Sequence, residues 1–218
     1  MSKIYDLIVF DWDGTVMDST AAIAASIQSA CRDFGLPVPS DADARHVIGM
    51  GLREALRHAV PQAEEYQYEP LADRYRHYFM AQDGAIPLYA EAHETILELH
   101  GAGYLLAVAT GKSRAGLSRV LESSGLGSYF HATRTADQTF SKPHPAMLLE
   151  IIDELGVAAD RVLMVGDTTH DLQMAINAGV DAVGVTHGAH PVEQLRGLHP
   201  LALVDDFVEL RAWFKANA

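Results

Sequence analysis

The sequence predicts an α/β fold, a doubly wound parallel sheet with an all-helical unit inserted after its first strand. Three observations point to it. Short apolar, β-branched runs recur along the chain: LIVF at 7–10, LLAVAT at 105–110, RVLMVGD at 161–167, AVGV at 182–185 and LALV at 201–204. From residue 91 onward, segments of helical spacing alternate with these runs, the pattern of a parallel sheet covered by helices on both faces. Between the first run and the second, residues 17–86 carry no strand signal.

In chain order, LIVF is the first strand, and it ends on Asp11, Trp12 and Asp13, followed by Gly14 and Thr15. Ile23, Ile27, Ala30, Cys31 and Phe34 then follow helical spacing until Gly35 stops them. LPVPSD reads as a turn. A short helix is expected near 41–47, a second on Leu52, Leu56 and Val60, and a longer one with Tyr68, Leu71, Tyr75, Tyr78 and Phe79 on one stripe. Gly84 and Pro87, in DGAIPLY, mark the return crossing. The expected domains are an α/β core made of 1–16 and 87–218 and a helical cap made of 17–86. Such an insert beside an active site has the anatomy of a lid. Later helices are expected at 91–100, 114–124, 145–155, 171–178 and 206–215, with Gly101, Gly103, Gly125, Gly156 and Gly179 as stops.

Composition narrows the function. The chain has 218 residues and a formal net charge of −13. It is long enough for one large core with a smaller insert. The acidic balance argues against a nucleic-acid partner, which needs a basic face. No apolar run is long enough to span a bilayer, and LIVF is interrupted at once by Asp11, so neither a membrane partner nor a secretory leader is expected. The single cysteine, Cys31, forms no internal disulfide and fits a cytoplasmic location. Oligomeric state is left open.

Ligands of an open parallel sheet sit beyond the carboxyl ends of its strands. There the first strand delivers Asp11 and Asp13, the second Thr110 and Gly111, and the 161–167 run Asp167. Lys142, in SKPHP, lies in a loop before a helix. Three carboxylates, a hydroxyl, a glycine amide and a lysine suit Mg²⁺ and a phosphoryl group. A cation lets Asp11 and Asp13 stay ionised side by side. One aspartate can attack phosphorus while the other passes a proton to the leaving oxygen. Lys142, Thr110 and the Gly111 amide can hold the phosphoryl oxygens.

DWDGT, ATGKS, SKPHP and GDTTHD, in that order, resemble the four motifs of the haloacid dehalogenase superfamily of phosphohydrolases, and the helical insert resembles that family's small cap. The resemblance covers essentially the whole chain. It implies Asp11 as nucleophile and Asp13 as general acid/base, with the Asp13 backbone carbonyl also on the metal. It implies Thr110 and Lys142 on phosphate, Asp167 completing the Mg²⁺ site and Asp171 supporting it. The dehalogenase branch lacks an acid at the Asp13 position, and the phosphonate-cleaving branch has a small residue there. The β-phosphoglucomutase branch typically has a cap histidine ten residues beyond the second aspartate, where this chain has Ile23. The nearest overall likeness is to phosphoglycolate phosphatase-like members. The expected partner is therefore a small phosphorylated metabolite. Alternatives are a pyrophosphatase or a sugar-phosphate phosphatase or mutase of the same family, and a non-catalytic, phosphate-responsive binding protein.

Several residues have plainer readings. Trp12 points away from its two aspartates and packs in the core. Gly14 is a turn residue or a hinge. TGKS is not a nucleotide-binding loop, because that motif needs glycine where Leu106 stands. Arg53, in IGMGLRE, is either a solvated helix-start residue or a substrate ligand. His144 and His170 are expected exposed or behind the site, THGAHP at 186–191 as a rim loop, and Cys31 and the tyrosines of 66–78 as cap packing or, for one tyrosine, as a lining of the entrance.

Overall fold

The computed structural model describes residues 4–217. Six parallel strands form one sheet in the order β3-β2-β1-β4-β5-β6. They are β1 (Leu7–Phe10), β2 (Leu105–Thr110), β3 (Ala132–Thr135), β4 (Val162–Gly166), β5 (Asp181–Val185) and β6 (Ala202–Val204). The five apolar runs are all strands. The strand β3, sequence ATRT, is one the sequence does not predict: it pairs only with β2, and its middle residues Thr133 and Arg134 are half-buried. A short edge strand has no need of a continuous apolar run.

Side chains alternate across the sheet. Ile8, Phe10, Leu106, Val108 and Val165 pack on one face against α5 (Ala92–Gly101), α6 (Arg114–Ser124) and α10 (Phe207–Asn217). Leu7, Val9, Ala107, Val162 and Met164 pack on the other against α7 (Ala146–Leu155), α8 (Thr169–Ala178) and the short α9 (Val192–Arg196). With both faces covered, β1 and β4 are apolar at every position, and their polar groups begin where the strands end. The helix α9 is also absent from the sequence reading; its five residues are too few to show a period.

Between β1 and β2 lie α1 (Thr20–Asp33), α2 (Asp41–His46), α3 (Leu52–Ala59) and α4 (Tyr68–Met80). They enclose an apolar cluster of their own in which Ile27, Cys31, Leu56, Leu71 and Phe79 are buried. The two crossings between this helical unit and the sheet run side by side. Met17 and Leu88 form an antiparallel bridge, the Tyr89 N–H donates to the Val16 carbonyl at 3.0 Å, and the Asp18 N–H to the Pro87 carbonyl at 3.0 Å.

Leu71 is fully buried inside the helical unit. Leu71→Ala is expected to lower the unfolding free energy by about 2–5 kcal/mol, read as an earlier midpoint in a urea titration followed by circular dichroism.

Candidate active site

The strands β1 and β4 are neighbours, and the strand order reverses between them. A reversal of this kind opens a crevice at the carboxyl ends of the strands. Asp11 and Asp167 leave the two strands on either side of it. The Asp11 N–H still pairs with the Val165 carbonyl at 2.9 Å, so the sheet ladder itself fixes its position.

Asp11, Lys142, Asp167 and Asp171 are all fully buried. One oxygen of each of the three carboxylates lies within 4.8 Å of the others. Lys142 Nζ stands between two of them, 2.7 Å from Asp11 Oδ1 and 2.6 Å from Asp171 Oδ1. Helix capping fixes Asp171: Thr168 heads α8, its hydroxyl accepts from the Asp171 N–H, and Asp171 Oδ2 accepts from the Thr168 N–H at 3.0 Å. Asp167 is held on both sides. Thr15 Oγ1 donates to its Oδ1 at 2.7 Å, and the Ala189 N–H donates to its Oδ2 at 2.7 Å.

Asp11 differs from the other two. Its contact with Lys142 is an ion pair out of line for a hydrogen bond, and neither carboxylate oxygen accepts a hydrogen bond from the described residues. A buried carboxylate without donors is unfavourable on its own. Burial pushes its pKa well above the ordinary carboxylate value; Lys142 opposes that shift, and Asp171 and Asp167 add to it. Burial, with Asp171 beside it, likewise raises Asp167 to about 7. Burial works against the charge on Lys142, but Asp11 and Asp171 outweigh it and hold the ammonium above its usual range. A cluster with more carboxylates than cations, centred on an unsatisfied Asp11, fits a hard divalent ion such as Mg²⁺.

Asp13 faces the other way. Its Oδ1 accepts from Ser19 Oγ at 2.7 Å and from Lys112 Nζ at 2.8 Å. Ser19 stands at the N-cap of α1 yet makes no capping bond, because its hydroxyl is turned to Asp13. Asp13 lines a cavity of about 770 Å³ between the sheet edge and the helical unit, within the size range of small-molecule sites. Tyr75, Phe79, Arg53 and Lys112 line the same cavity.

The 48–51 loop of the helical unit closes down on the sheet edge. The Gly51 N–H donates to Ser141 Oγ at 2.7 Å. Gly111 lies so close beneath the loop that a Cβ on it would stand 2.4 Å from the Met50 carbonyl oxygen. Gly14 needs its glycine twice over: its φ is +85°, and a Cβ there would stand 2.3 Å from Asp167 Oδ2. It serves as the turn residue that lets β1 approach the end of β4.

Asp11, Lys142, Asp167 and Asp171 thus come together, with Thr110 buried at the end of the neighbouring β2, where its Oγ1 accepts from the Lys112 N–H at 3.2 Å. The Asp13 carboxylate stands apart, at the cavity. Arg53 reaches the cavity wall, but its guanidinium pairs with Glu65 at 2.7 Å and is largely exposed. His144 is exposed against Phe140. Trp12 and Cys31 are buried in apolar clusters.

The 186–191 segment is a rim loop, and it does more than the sequence reading gives it. Besides the Ala189 amide on Asp167, it supplies His190. His190 Nδ1 accepts from the Thr169 N–H at 3.0 Å, so Nε2 carries the proton toward the His46 carbonyl oxygen at 3.0 Å. His170 Nε2 meets the same oxygen at 2.8 Å. Burial, with His170 beside it, pushes His190 down to about 4. Two histidines, one at the start of α8 and one on the rim loop, thereby clasp the end of α2. Lys112, Thr15, Ser19 and Ala189 are the site residues that sequence reasoning misses. For Lys112 and Thr15 the signal was adjacency to ATG and DWDG; for Ala189 there was none, since a backbone amide carries no side-chain signature.

The family model for haloacid dehalogenase-like hydrolases matches residues 8–185. The chain belongs to that family. It is 38% identical to the probable phosphatase IndB of Dickeya dadantii over 94% of this chain and 91% of the relative. It is 34% identical to a phosphoglycolate phosphatase of Vibrio cholerae over 94% of each chain. A crystal structure of a predicted phosphoglycolate phosphatase from Haemophilus somnus superposes with a TM-score of 0.83 at 28% identity, covering 97% of this chain and 99% of that one. Within the family the chain is a phosphatase, a phosphoric monoester hydrolase. No described helix is long and apolar enough to cross a membrane.

Two measurements test this geometry. Without metal, a raised carboxyl pKa means that the folded state binds its proton more tightly than the unfolded chain, whose value is about 4. The stability this gives is complete below the unfolded value and is lost as pH rises through the folded value of about 7 for Asp167. Melting temperature in chelator should therefore fall between pH 5 and pH 8, and added Mg²⁺ should raise it more at pH 8 than at pH 5. Gly111→Ala should push the 48–51 loop off the sheet edge, seen as faster amide exchange in that loop and a loss of turnover of about tenfold or more.

Proposed function

We propose that the protein is a Mg²⁺-dependent phosphatase that hydrolyses a small-molecule phosphomonoester through an aspartyl-phosphate on Asp11. The observation that carries this reading is the Asp11 carboxylate, fully buried beside the Lys142 ammonium yet accepting no hydrogen bond from the described residues, two positions before Asp13, which lines the cavity. A structural carboxylate at such a place would be satisfied by the chain, as Asp171 is.

Asp11, Asp167 and the backbone carbonyl of Asp13 would hold Mg²⁺, with Asp171 beside them. When bound, the ion supplies positive charge that keeps the carboxylates ionised and offsets charge on the phosphoryl oxygens. Asp11 attacks phosphorus, and the bond from phosphorus to the leaving oxygen breaks. Asp13 gives that oxygen a proton. In the second half Asp13 takes a proton from water; the resulting hydroxide attacks phosphorus, releasing inorganic phosphate and restoring Asp11. Lys142, Thr110 and the Gly111 amide hold the equatorial oxygens through both halves. Asp171 keeps Lys142 aimed at them.

We further propose the division into a core of 1–16 and 87–218 and a cap of 17–86, with the cap as a lid that excludes water during transfer. Phosphoglycolate is the favoured substrate, because curated relatives carry that name, and the setting is cytoplasmic.

Phosphate release should be measured from phosphoglycolate, pyrophosphate, hexose phosphates and nucleoside monophosphates, each with Mg²⁺ and with chelator. Metal-dependent release is expected, and Asp11→Asn should abolish it while leaving the fold intact by circular dichroism. Retention of turnover by that variant would refute the covalent mechanism.

A further inference from the structure

Lys112 is a cation for which the reaction described above has no use. Its side chain is only 8% exposed, enclosed between the end of β2 and the helical unit. A lysine ammonium carries three N–H donors. One goes to Asp13 Oδ1 at 2.8 Å, and the Phe79 ring lies beneath the nitrogen at 4.8 Å. No other oxygen of the described residues accepts from it, although enclosed donors are normally matched. Tyr75, stacked on Phe79, lines the same cavity with a hydroxyl that makes no hydrogen bond to the described residues. Burial, with Asp13 nearby, raises the Tyr75 pKa, so that hydroxyl stays a donor.

The other cations on the cavity wall are placed differently. Arg53 and Arg57 pair with Glu65, Arg76 pairs with Asp73, and Arg119 pairs with Asp83; all four guanidinium side chains are about half exposed. Lys142 lies outside the cavity lining, paired with Asp11 and Asp171 at the sheet edge. Among the described residues, Lys112 is therefore the enclosed cavity cation with donor capacity left. It also touches the carboxylate that serves the leaving oxygen. Any group it binds must lie on the leaving-group side, within a few bonds of that oxygen. In a chain of net charge −13, an anion in this cavity needs such a local partner.

We infer that Lys112, with the Tyr75 hydroxyl in the same cavity, forms a subsite for an anionic substituent on the leaving group, so that the enzyme selects phosphomonoesters carrying a negative charge a few bonds from the scissile oxygen. This rests on the phosphatase reading and adds to it the residue that chooses the substrate. The phosphoryl group is held by the sheet edge whatever it is attached to; Lys112 tells a carboxylate from a hydroxymethyl group of similar size.

The test uses pairs of substrates matched in size and different in charge: 2-phosphoglycolate against 2-hydroxyethyl phosphate, and 3-phosphoglycerate against glycerol 3-phosphate, with ethane-1,2-diyl bisphosphate to separate a carboxylate from a second phosphate. In the wild type the charged member should lead by about 10- to 100-fold in kcat/KM, mostly through KM, the scale of one charge-assisted hydrogen bond. In Lys112→Met that ratio should fall to within about threefold of unity, and Lys112→Arg should keep most of it. A preference for the bisphosphate that is lost in Lys112→Met also supports an anion subsite and assigns it to phosphate. The inference is overturned if the wild type does not prefer the charged partner, or if Lys112→Met keeps the preference. It is also overturned if a folded Lys112→Met loses para-nitrophenyl phosphate turnover as completely as phosphoglycolate turnover, because Lys112 then serves Asp13 alone. Should Lys112→Met not fold, product inhibition of the wild type decides: glycolate should inhibit at a concentration at least tenfold below ethylene glycol, and equal inhibition overturns the subsite. Absence of Mg²⁺-dependent turnover on every ester would instead sink the phosphatase reading.

Discussion

The structure is organised around charge buried at the carboxyl edge of a parallel sheet. Three carboxylates and one ammonium sit there fully buried. Taking such groups out of water costs several kcal/mol each unless the geometry repays it. The surrounding architecture supplies that geometry. The capping of α8 fixes Asp171, Asp171 and Asp11 fix Lys142, and Thr15 with the Ala189 amide fixes Asp167. Glycine at position 14 lets the two strand ends come close enough to share the site. Asp11 alone is left without donors. The sheet thus carries a stored electrostatic demand that a cation and a phosphoryl group together would meet.

A division of labour follows from the topology. The strand ends and the Lys142 loop present groups suited to a phosphoryl centre common to every ester. The helical unit presents Tyr75 and Phe79 across the cavity from Asp13 and Lys112, where the part that differs between esters would lie. The 48–51 loop joins the two, meeting Ser141 and Gly111 at the sheet edge. The histidine clasp on the His46 carbonyl adds a second seam, uncharged because burial holds His190 neutral. The unit is therefore held by hydrogen bonds at its rim, while its interior is an apolar cluster of its own helices that Ala189 of the rim loop joins.

Much of this is legible in the sequence. The strands β1, β2 and β4 announce themselves because a sheet covered on both faces demands continuous apolar runs, and the polar groups at their ends then mark the site. The strand β3 was invisible for the converse reason: at an edge, Thr133 and Arg134 satisfy the pairing without apolar cover. What stayed hidden depends on through-space partners. Lys112 is two residues from Thr110, but nothing in ATGKS shows that its ammonium turns to Asp13 and not to solvent. Ser19 stands at the N-cap of α1, and only the structure shows its hydroxyl turned to Asp13. Backbone donors such as Ala189 are beyond any reading of side-chain types.

The paired crossing at Met17 and Leu88 has a consequence of another kind. Because the chain leaves the sheet and returns at adjacent points, joined by the Val16–Tyr89 and Asp18–Pro87 hydrogen bonds, the interruption between β1 and β2 is topologically a closed loop. The ends of that loop already meet beside the sheet. Loop length enters closure entropy only logarithmically. The helical unit is in this sense a detachable module on an anchored stem, and an ancestor could have exchanged one such module for another, and with it one diet of esters for another, without relearning how to fold.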